Sequence, residues 1–355
     1  MLAHARPVVS LPLTPGVRYL LLEAGFGDAA DLQGYTAERL AHCTNLSLQD
    51  AAEVLLQAKP KASLLCSAEE LSRVQSSLPR IITFCAGLDR LLGGGVACGN
   101  VTEFCGVPGV GKTQLGMQLA VDVQIPAAFG GSGGTAVYVD TEGSFMVERV
   151  RDIAGAAVRH VSATARSAAR TRPPGQAQQL AQEASGFTLE TVLSGIMHFR
   201  IHDITEQLAL VISLEAFLCQ HPKVRLVVLD SVTFHFRQDF RDMGARARAL
   251  SGMAQDCMRL AERHSVAVVF INQVSTRLEL NEAKLVPALG ESWGHAASTR
   301  VILYWQGADR FAFLHKSSSQ AAASVQYVVT DDGVRDPKPL KRSMPPSGPS
   351  LAAPQ

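Results

Sequence analysis

Gly106-Val107-Pro108-Gly109-Val110-Gly111-Lys112-Thr113 carries the spacing GxxxxGK[ST], with an apolar run at 101–105 directly before it and a helical run at 114–123 directly after. A strand, a glycine-rich turn and a helix in that order are the context this motif needs to hold phosphate. Glycines admit backbone angles that other residues avoid, so successive N–H groups can turn towards one anion, reinforced by the positive end of the helix that follows. These residues and Gln114 are expected to bind ATP, with the Lys112 ammonium on the β- and γ-phosphates and the Thr113 hydroxyl on Mg²⁺.

Outward from that turn, short apolar segments alternate with helical stretches, the pattern of a parallel α/β sheet covered on both faces. The expected strands lie at 101–105, 136–139, 196–200, 226–229 and 266–271, and three closely spaced segments at 300–305, 310–315 and 325–329 read as antiparallel additions at one edge. Ligands in open parallel sheets sit beyond the carboxyl ends of strands, so polar residues there carry the chemistry. Asp230 closes one apolar strand and is the second candidate for the metal. Beyond another strand, Asp140-Thr141-Glu142-Gly143 offers two acids, with Glu142 the candidate to orient the attacking water and Asp140 its competitor. Gln273, after Phe270-Ile271-Asn272, is placed to sense the γ-phosphate through its amide.

The segments around this α/β region read differently. Val17, Leu20, Leu21 and Ala24 recur at helical spacing up to Gly25, two further helical stretches follow, and Ser47 stands as an N-cap, so residues 1–58 are expected to form a small all-helical domain. Residues 59–80, with Pro60, Pro79 and several serines, read as a linker in which 69–74 can form a short helix. The ATPase domain then spans 81–336. Within it, 160–186 is rich in Ala, Arg, Gln and Ser around Pro173-Pro174-Gly175 and reads as containing a flexible insertion. The tail 337–355 is too rich in Pro, Ser and Ala to pack, and its Lys338-Pro-Leu-Lys341-Arg342 cluster is a candidate nuclear import signal.

Composition limits the function classes. Thirty-three Lys and Arg against 32 Asp and Glu leave a net charge of +1, so nucleic-acid contact has to come from local patches. The seven cysteines are scattered, with no CxxC pair, and read as reduced residues of an intracellular protein. Pro7, Pro12 and Pro15 interrupt the apolar N-terminus, and no apolar run is long enough to span a bilayer, so a membrane partner is not expected. The expected location is the nucleus, and also the cytoplasm.

Taken together, the 106–113 turn, the Asp140-Thr141-Glu142-Gly143-Ser144-Phe145 run, the strand ending in Asp230, Ile271-Asn272-Gln273 and the helical N-terminus resemble the eukaryotic branch of the RecA recombinase family. Ile81-Ile-Thr-Phe-Cys85 and the Leu285-Val-Pro-Ala-Leu-Gly-Glu-Ser-Trp-Gly-His295 stretch look closer still to a paralogue of its strand-exchange recombinase. The resemblance implies a RecA-like P-loop ATPase core with a mostly parallel sheet, preceded by a helix-hairpin-helix-like unit in which Thr44-Asn45 stands at the hairpin. It implies ATP between neighbouring subunits, Arg149 against the adenine ring, and two loops facing DNA: 233–248, with Arg237, Arg241, Arg246 and Arg248, and 275–290, with Arg277 and Lys284. Ser318 stands where the family's cap over the neighbouring ATP usually has proline, which fits a paralogue working inside a defined complex. The implied activity is that of a DNA-dependent ATPase in homologous recombination and double-strand break repair, promoting recombinase filament assembly on single-stranded DNA. Its implied partners are single-stranded and branched DNA, other recombinase paralogues in hetero-oligomers and the main recombinase. An autonomous strand-exchange enzyme, or a scaffold with ATP as a structural ligand, is the alternative.

Overall fold

The computed structural model describes residues 7–32, 34–58, 67–238, 242–279, 282–287 and 291–338, with side chains from 238 to 292 described only in part. The expected tail beyond 338, its basic cluster after Lys338, and linker residues 59–66 lie outside the described residues.

The N-terminal region is helical, with Pro15–Glu23, Ala37–Thr44 and Leu48–Ala58 closing around Val8, Leu11, Leu21, Leu40 and Val54. Its helices are short; in the first, Leu21 is buried and Val17 and Leu20 pack half-buried against the same cluster, while Ala24 is exposed. Gly25, at φ +88°, reverses the chain just after the first helix. Ala68–Ser77 forms a longer helix than the expected 69–74, started by a capping box in which Ser67 and Glu70 satisfy each other's backbone N–H groups.

The core is a sheet whose strands we number β1 Val101–Gly106, β2 Thr135–Asp140, β3 Ile196–Arg200, β4 Val224–Asp230, β5 Ala267–Glu279, β6 Glu282–Pro287, β7 Thr299–Gln306, β8 Asp309–Lys316, β9 Ser324–Thr330 and β10 Gly333–Arg335. Their order is β10-β9-β8-β7-β1-β5-β4-β2-β3, with β6 paired to β5. From β7 to β3 every neighbour is parallel, and from β7 to β10 every neighbour is antiparallel. This is a RecA-like fold with a mostly parallel sheet and antiparallel strands at one edge. The central strands are apolar on both faces because each face is covered, by Lys112–Asp122 and Val147–Thr171 on one side and by Ile204–Gln220 and Met243–His264 on the other.

Three expectations about irregular segments are corrected. Residues 160–186 are not a flexible insertion: Val147–Thr171 is one long helix, Pro174–Gly186 is a second, and they bury Ala165, Ala168, Leu180 and Ala184. Pro174 stands in the first turn, where a missing N–H costs nothing, so the Pro-Pro pair separates two helices without loosening either. Residues 233–248 are not a loop throughout, because Phe234–Gln238 is helical and a further helix begins at Met243, capped by Asp242, whose carboxylate accepts from Gly244 N. Likewise β5 runs to Glu279 and folds back on β6, so much of 275–290 is a two-stranded extension of the sheet.

Candidate active site

β1, β2 and β4 end side by side with the middle of β5, and together these positions carry the candidate residues. Parallel pairing in register sets this: Gly106 lies opposite Gln273, and Asp140 opposite Asp230. Gly106 cannot carry a Cβ, which would lie 2.5 Å from Leu303 O, so the strand can turn tightly against β7. Gly109 and Gly111 take φ of +78° and +104°, and nothing lies within 4 Å of where a Cβ on Gly109 would project. The helix Lys112–Asp122 follows with no side-chain cap and no acid in its first turn. Its first N–H groups and its positive end are therefore left for an anion.

Lys112 lies half-buried in the turn, its ammonium donating to Gly106 O at 2.9 Å and Val107 O at 3.0 Å. Burial lowers its pKa, and Asp230 and Glu142 oppose that shift. Asp230 is buried at the end of β4. Its carboxylate accepts from the Tyr138 hydroxyl at 2.7 Å and also from Thr113, while burial pushes its pKa up to about 6. A buried carboxylate held by two hydroxyls, one of them on the threonine in the first turn of a helix, suits a hydrated divalent cation. The donors are hard oxygens, and their charge is not already consumed by a direct ion pair among the described residues. The glycine turn, the lysine and these oxygens thus fit Mg²⁺–ATP.

Glu142 lies beyond β2, exposed, and its Oε1 accepts from the Ser231 hydroxyl at 2.6 Å and from the Gln273 amide at 3.5 Å. Asp140 does something else. Its two oxygens accept the backbone N–H groups of Glu142, Gly143, Ser144 and Phe145 at 2.7 to 3.3 Å, so it shapes the turn that presents Glu142 and is not free to act as the base. Arg200 and His198 from β3 approach the same carboxylate at 3.7 and 3.6 Å. Arg149 is fixed between the two ends of the domain, donating to Gln114 Oε1, Thr330 O and Asp331 O, each at 2.6 Å. A guanidinium pinned by three acceptors presents a flat face, the geometry that stacking on a base needs.

The sequence profile of the Rad51 family matches residues 74–166 and 165–337. The chain belongs to the Rad51 family. It is 46% identical over 344 residues to DNA repair protein RAD51 homolog 3 of Cricetulus griseus, covering 93% of this chain and 92% of that protein. To the protein of the same name from Dictyostelium discoideum it is 40% identical over 258 residues, 72% of this chain and 65% of that one.

Of the candidate DNA-binding residues, Arg237 reaches the residues gathered at this end of the sheet. Arg237 is exposed, and its Nη1 donates to Gln273 Oε1 at 2.7 Å. Arg246 and Arg248 stand two residues apart on the helix Met243–His264, so they point to different sides, and Arg248 lies 3.8 Å from Asp242. Arg241 lies outside the described residues, as do the side chains of Arg277 and Lys284.

Several contributors escaped the sequence reading. Tyr138 and Ser231 hold the two carboxylates, and neither type of residue is distinctive within or after an apolar strand. Beneath the site, Glu103 on β1 is fully buried. It accepts from Asn272 at 2.6 Å, from Trp293 Nε1 at 2.8 Å and from Arg300, while Lys316 donates to Gly294 O and Ala297 O at 2.9 and 2.7 Å. This network fixes the short turn Glu291–His295 to the sheet. The signal was present as charged residues inside apolar strands, which a core tolerates only when they are paired.

Proposed function

We propose that this protein is an ATP-binding, DNA-dependent ATPase subunit of a recombinase-paralogue complex. It would act in the nucleus in homologous recombination and double-strand break repair, promoting assembly of the recombinase filament on single-stranded DNA. Membership of the Rad51 family and similarity to proteins named for DNA repair support this reading. The observation that carries it is the hydrogen-bonded line Arg237–Gln273–Glu142–Ser231, which runs from an exposed arginine to the candidate base beside buried Asp230. Such a line gives a phosphate bound at Arg237 a route to the group that orients water.

In this reading Lys112 supplies the positive charge for the β- and γ-phosphates, and the turn's N–H groups orient them. Thr113 and Asp230 hold Mg²⁺, which when bound neutralises charge on the phosphoryl oxygens. Glu142 orients the attacking water, Gln273 reports on the γ-phosphate and Arg149 lies along the adenine. Arg237, Arg241, Arg246, Arg248, Arg277 and Lys284 supply cationic contacts for DNA, and a paralogue covers the nucleotide from outside. We further propose a small helical domain at 1–58, a linker at 59–80 and the ATPase domain at 81–336.

The test is ATP turnover by the purified full chain with and without a single-stranded oligonucleotide, in the parent and in Gln273→Ala. Stimulation by DNA in the parent, absent in the variant while ATP is still retained, is the expected result. Failure of the parent to retain ATP would overturn the reading.

A further inference from the structure

The opposite end of the sheet, where β4 and β5 begin, holds a second cluster of chemically active side chains. The helix Ile204–Gln220 ends just before β4 and Met243–His264 ends just before β5, so their last turns meet there. Glu215 and Cys219 are one turn apart on the first helix and share a face. His264 closes the second, buried, with its Nε2 3.1 Å from Glu215 Oε1. One carboxylate oxygen, the Cys219 sulfur and one ring nitrogen of His264 all lie within 4.8 Å of one another.

We propose that Glu215, Cys219 and His264 form a zinc site. Thiolate, imidazole and carboxylate are the donors this ion takes, and ligand atoms around a tetrahedral zinc stand about 3.5 Å apart, given bond lengths of about 2.0–2.3 Å. The present spacing is reached from there by rotamer adjustments of Cys219 and Glu215. A glutamate–histidine pair at a helix end is common in itself, but it does not call for a sulfur within reach of both partners. Arg263 Nη1, 3.0 Å from Glu215 Oε1, holds that carboxylate from outside and offsets the negative charge of a thiolate–carboxylate pair. Access is provided as well. Cys219 and His264 line a cleft of about 940 Å³, lined also by Tyr35, Leu55 and Leu56 of the N-terminal region, through which an ion and a fourth, water ligand can enter.

Zinc here ties the final turns of two helices together at the floor of the cleft on which the N-terminal unit rests. The site is remote from the nucleotide, since β4 runs from Val224 to Asp230 between them, about 20 Å of extended chain. Loss of the ion should therefore leave ATP retention intact.

The full chain, dialysed against chelator-treated buffer, should keep about one zinc per molecule by mass spectrometry. Cobalt(II) in its place should give the sulfur-to-metal charge-transfer band and the intense visible bands of a tetrahedral site. Cys219→Ser should remove the charge-transfer band, and His264→Asn should weaken zinc binding by more than about a hundredfold, exceeding the usual effect of an outer-shell change. Both variants should retain ATP, which also shows that they fold. If either does not fold, Glu215→Gln, at a half-exposed position, takes its place and must weaken zinc binding at least about tenfold. Substoichiometric metal in the parent, a charge-transfer band that survives Cys219→Ser, or unchanged affinity in Glu215→Gln would each overturn the proposal.

Discussion

Two helices of this protein start after a left-handed residue but differ in how their N-termini are satisfied. Lys112–Asp122 follows directly on Gly111 at φ +104°, whereas Leu48–Ala58 begins three residues after Asn45, at φ +56°, which closes the preceding helix Ala37–Thr44. At the first, no side chain caps the helix and no acid stands in its first turn, so the positive end is offered outward, with Lys112 beside it and Asp230 behind. At the second, the Ser47 hydroxyl accepts from Asp50 N at 3.0 Å and donates to the Asp50 carboxylate at 2.6 Å. The Asp50 N–H is satisfied and the first turn already carries a carboxylate. A helix start thus becomes a phosphate site only when its own sequence leaves it unsatisfied.

Removing the cation from the open end should have the largest effect. Lys112→Ala is expected to lower ATP turnover by at least about a hundredfold, the scale seen when a positioned donor to a charged transition state is removed. Its thermal melt without nucleotide should stay close to the parent's, because among the described residues Lys112 donates to carbonyls of its own turn. Unchanged turnover would break the comparison at its stronger half.

Glu142→Gln keeps the shape and the Ser231 hydrogen bond but removes the carboxylate. ATP should still be retained, while turnover falls by about a hundredfold or more, within the range for a positioned base. Because Asp140 is committed to four backbone N–H groups, it should not substitute; turnover near the parental rate would show that it does.

Asp230 sharpens the comparison through pH. Its folded pKa of about 6 lies above the ordinary value of 3.8, so between those values the native state holds a proton that the unfolded chain has released. The nucleotide-free protein should gain stability from this group as pH falls through about 6, and lose that gain as pH rises again. Mg²⁺ needs the ionised form, so Mg²⁺-dependent ATP retention should weaken over the same window. Asp230→Asn, without the buried charge, should melt a few degrees higher than the parent at pH 8 in the absence of nucleotide and retain ATP poorly when Mg²⁺ is added. A lower melting temperature would mean that the carboxylate stabilises the apo fold.

How much of this could be read from the sequence depended on distance along the chain. The phosphate turn is local: its glycines, lysine and threonine are contiguous, and the flanking strand and helix announce themselves by period. Glu142 could be ranked above Asp140 but not separated from it, because both follow one strand and only the folded turn shows which carboxylate the backbone N–H groups engage. Glu103 and Arg300 are 197 residues apart, and no spacing rule links them. The 160–186 stretch misled through composition, since helices that bury mostly alanine look like low-complexity sequence. Arg237 to Arg248 looked like one basic loop, whereas a helix starting at Met243 sends neighbouring arginines to different sides.

If the helical N-terminal unit is closed to phosphate, DNA affinity has to come from the core. Neutralising Arg237, Arg241, Arg246 and Arg248 together should weaken binding of single-stranded DNA and flatten its salt dependence. The log–log slope should fall by about 0.7 for each phosphate that the protein no longer neutralises, with ATP retention preserved. Identical slopes for parent and variant would return the DNA-binding role to the N-terminal unit.

The smallest effect tests the closed end itself. Ser47→Ala removes the hydroxyl that caps Leu48–Ala58, a change that typically costs about 1 kcal/mol. The amides of that helix should then exchange with solvent about fivefold faster, as expected when local opening becomes easier by that amount. The affinity of the full chain for single-stranded DNA should not change, because the hydroxyl is engaged by Asp50 and touches no ligand in this reading. Asp50→Asn separates capping from charge. It keeps an oxygen for the serine but removes the anion from the first turn, so any hidden capacity for phosphate at this helix should appear as a gain in DNA affinity that salt abolishes. A gain would show that Asp50 alone holds the hairpin shut and that the left-handed turn at Asn45 still has the geometry for a phosphate. A drop in DNA affinity in Ser47→Ala would go further and show that the unit binds DNA as it stands, making the two helix starts alike in use.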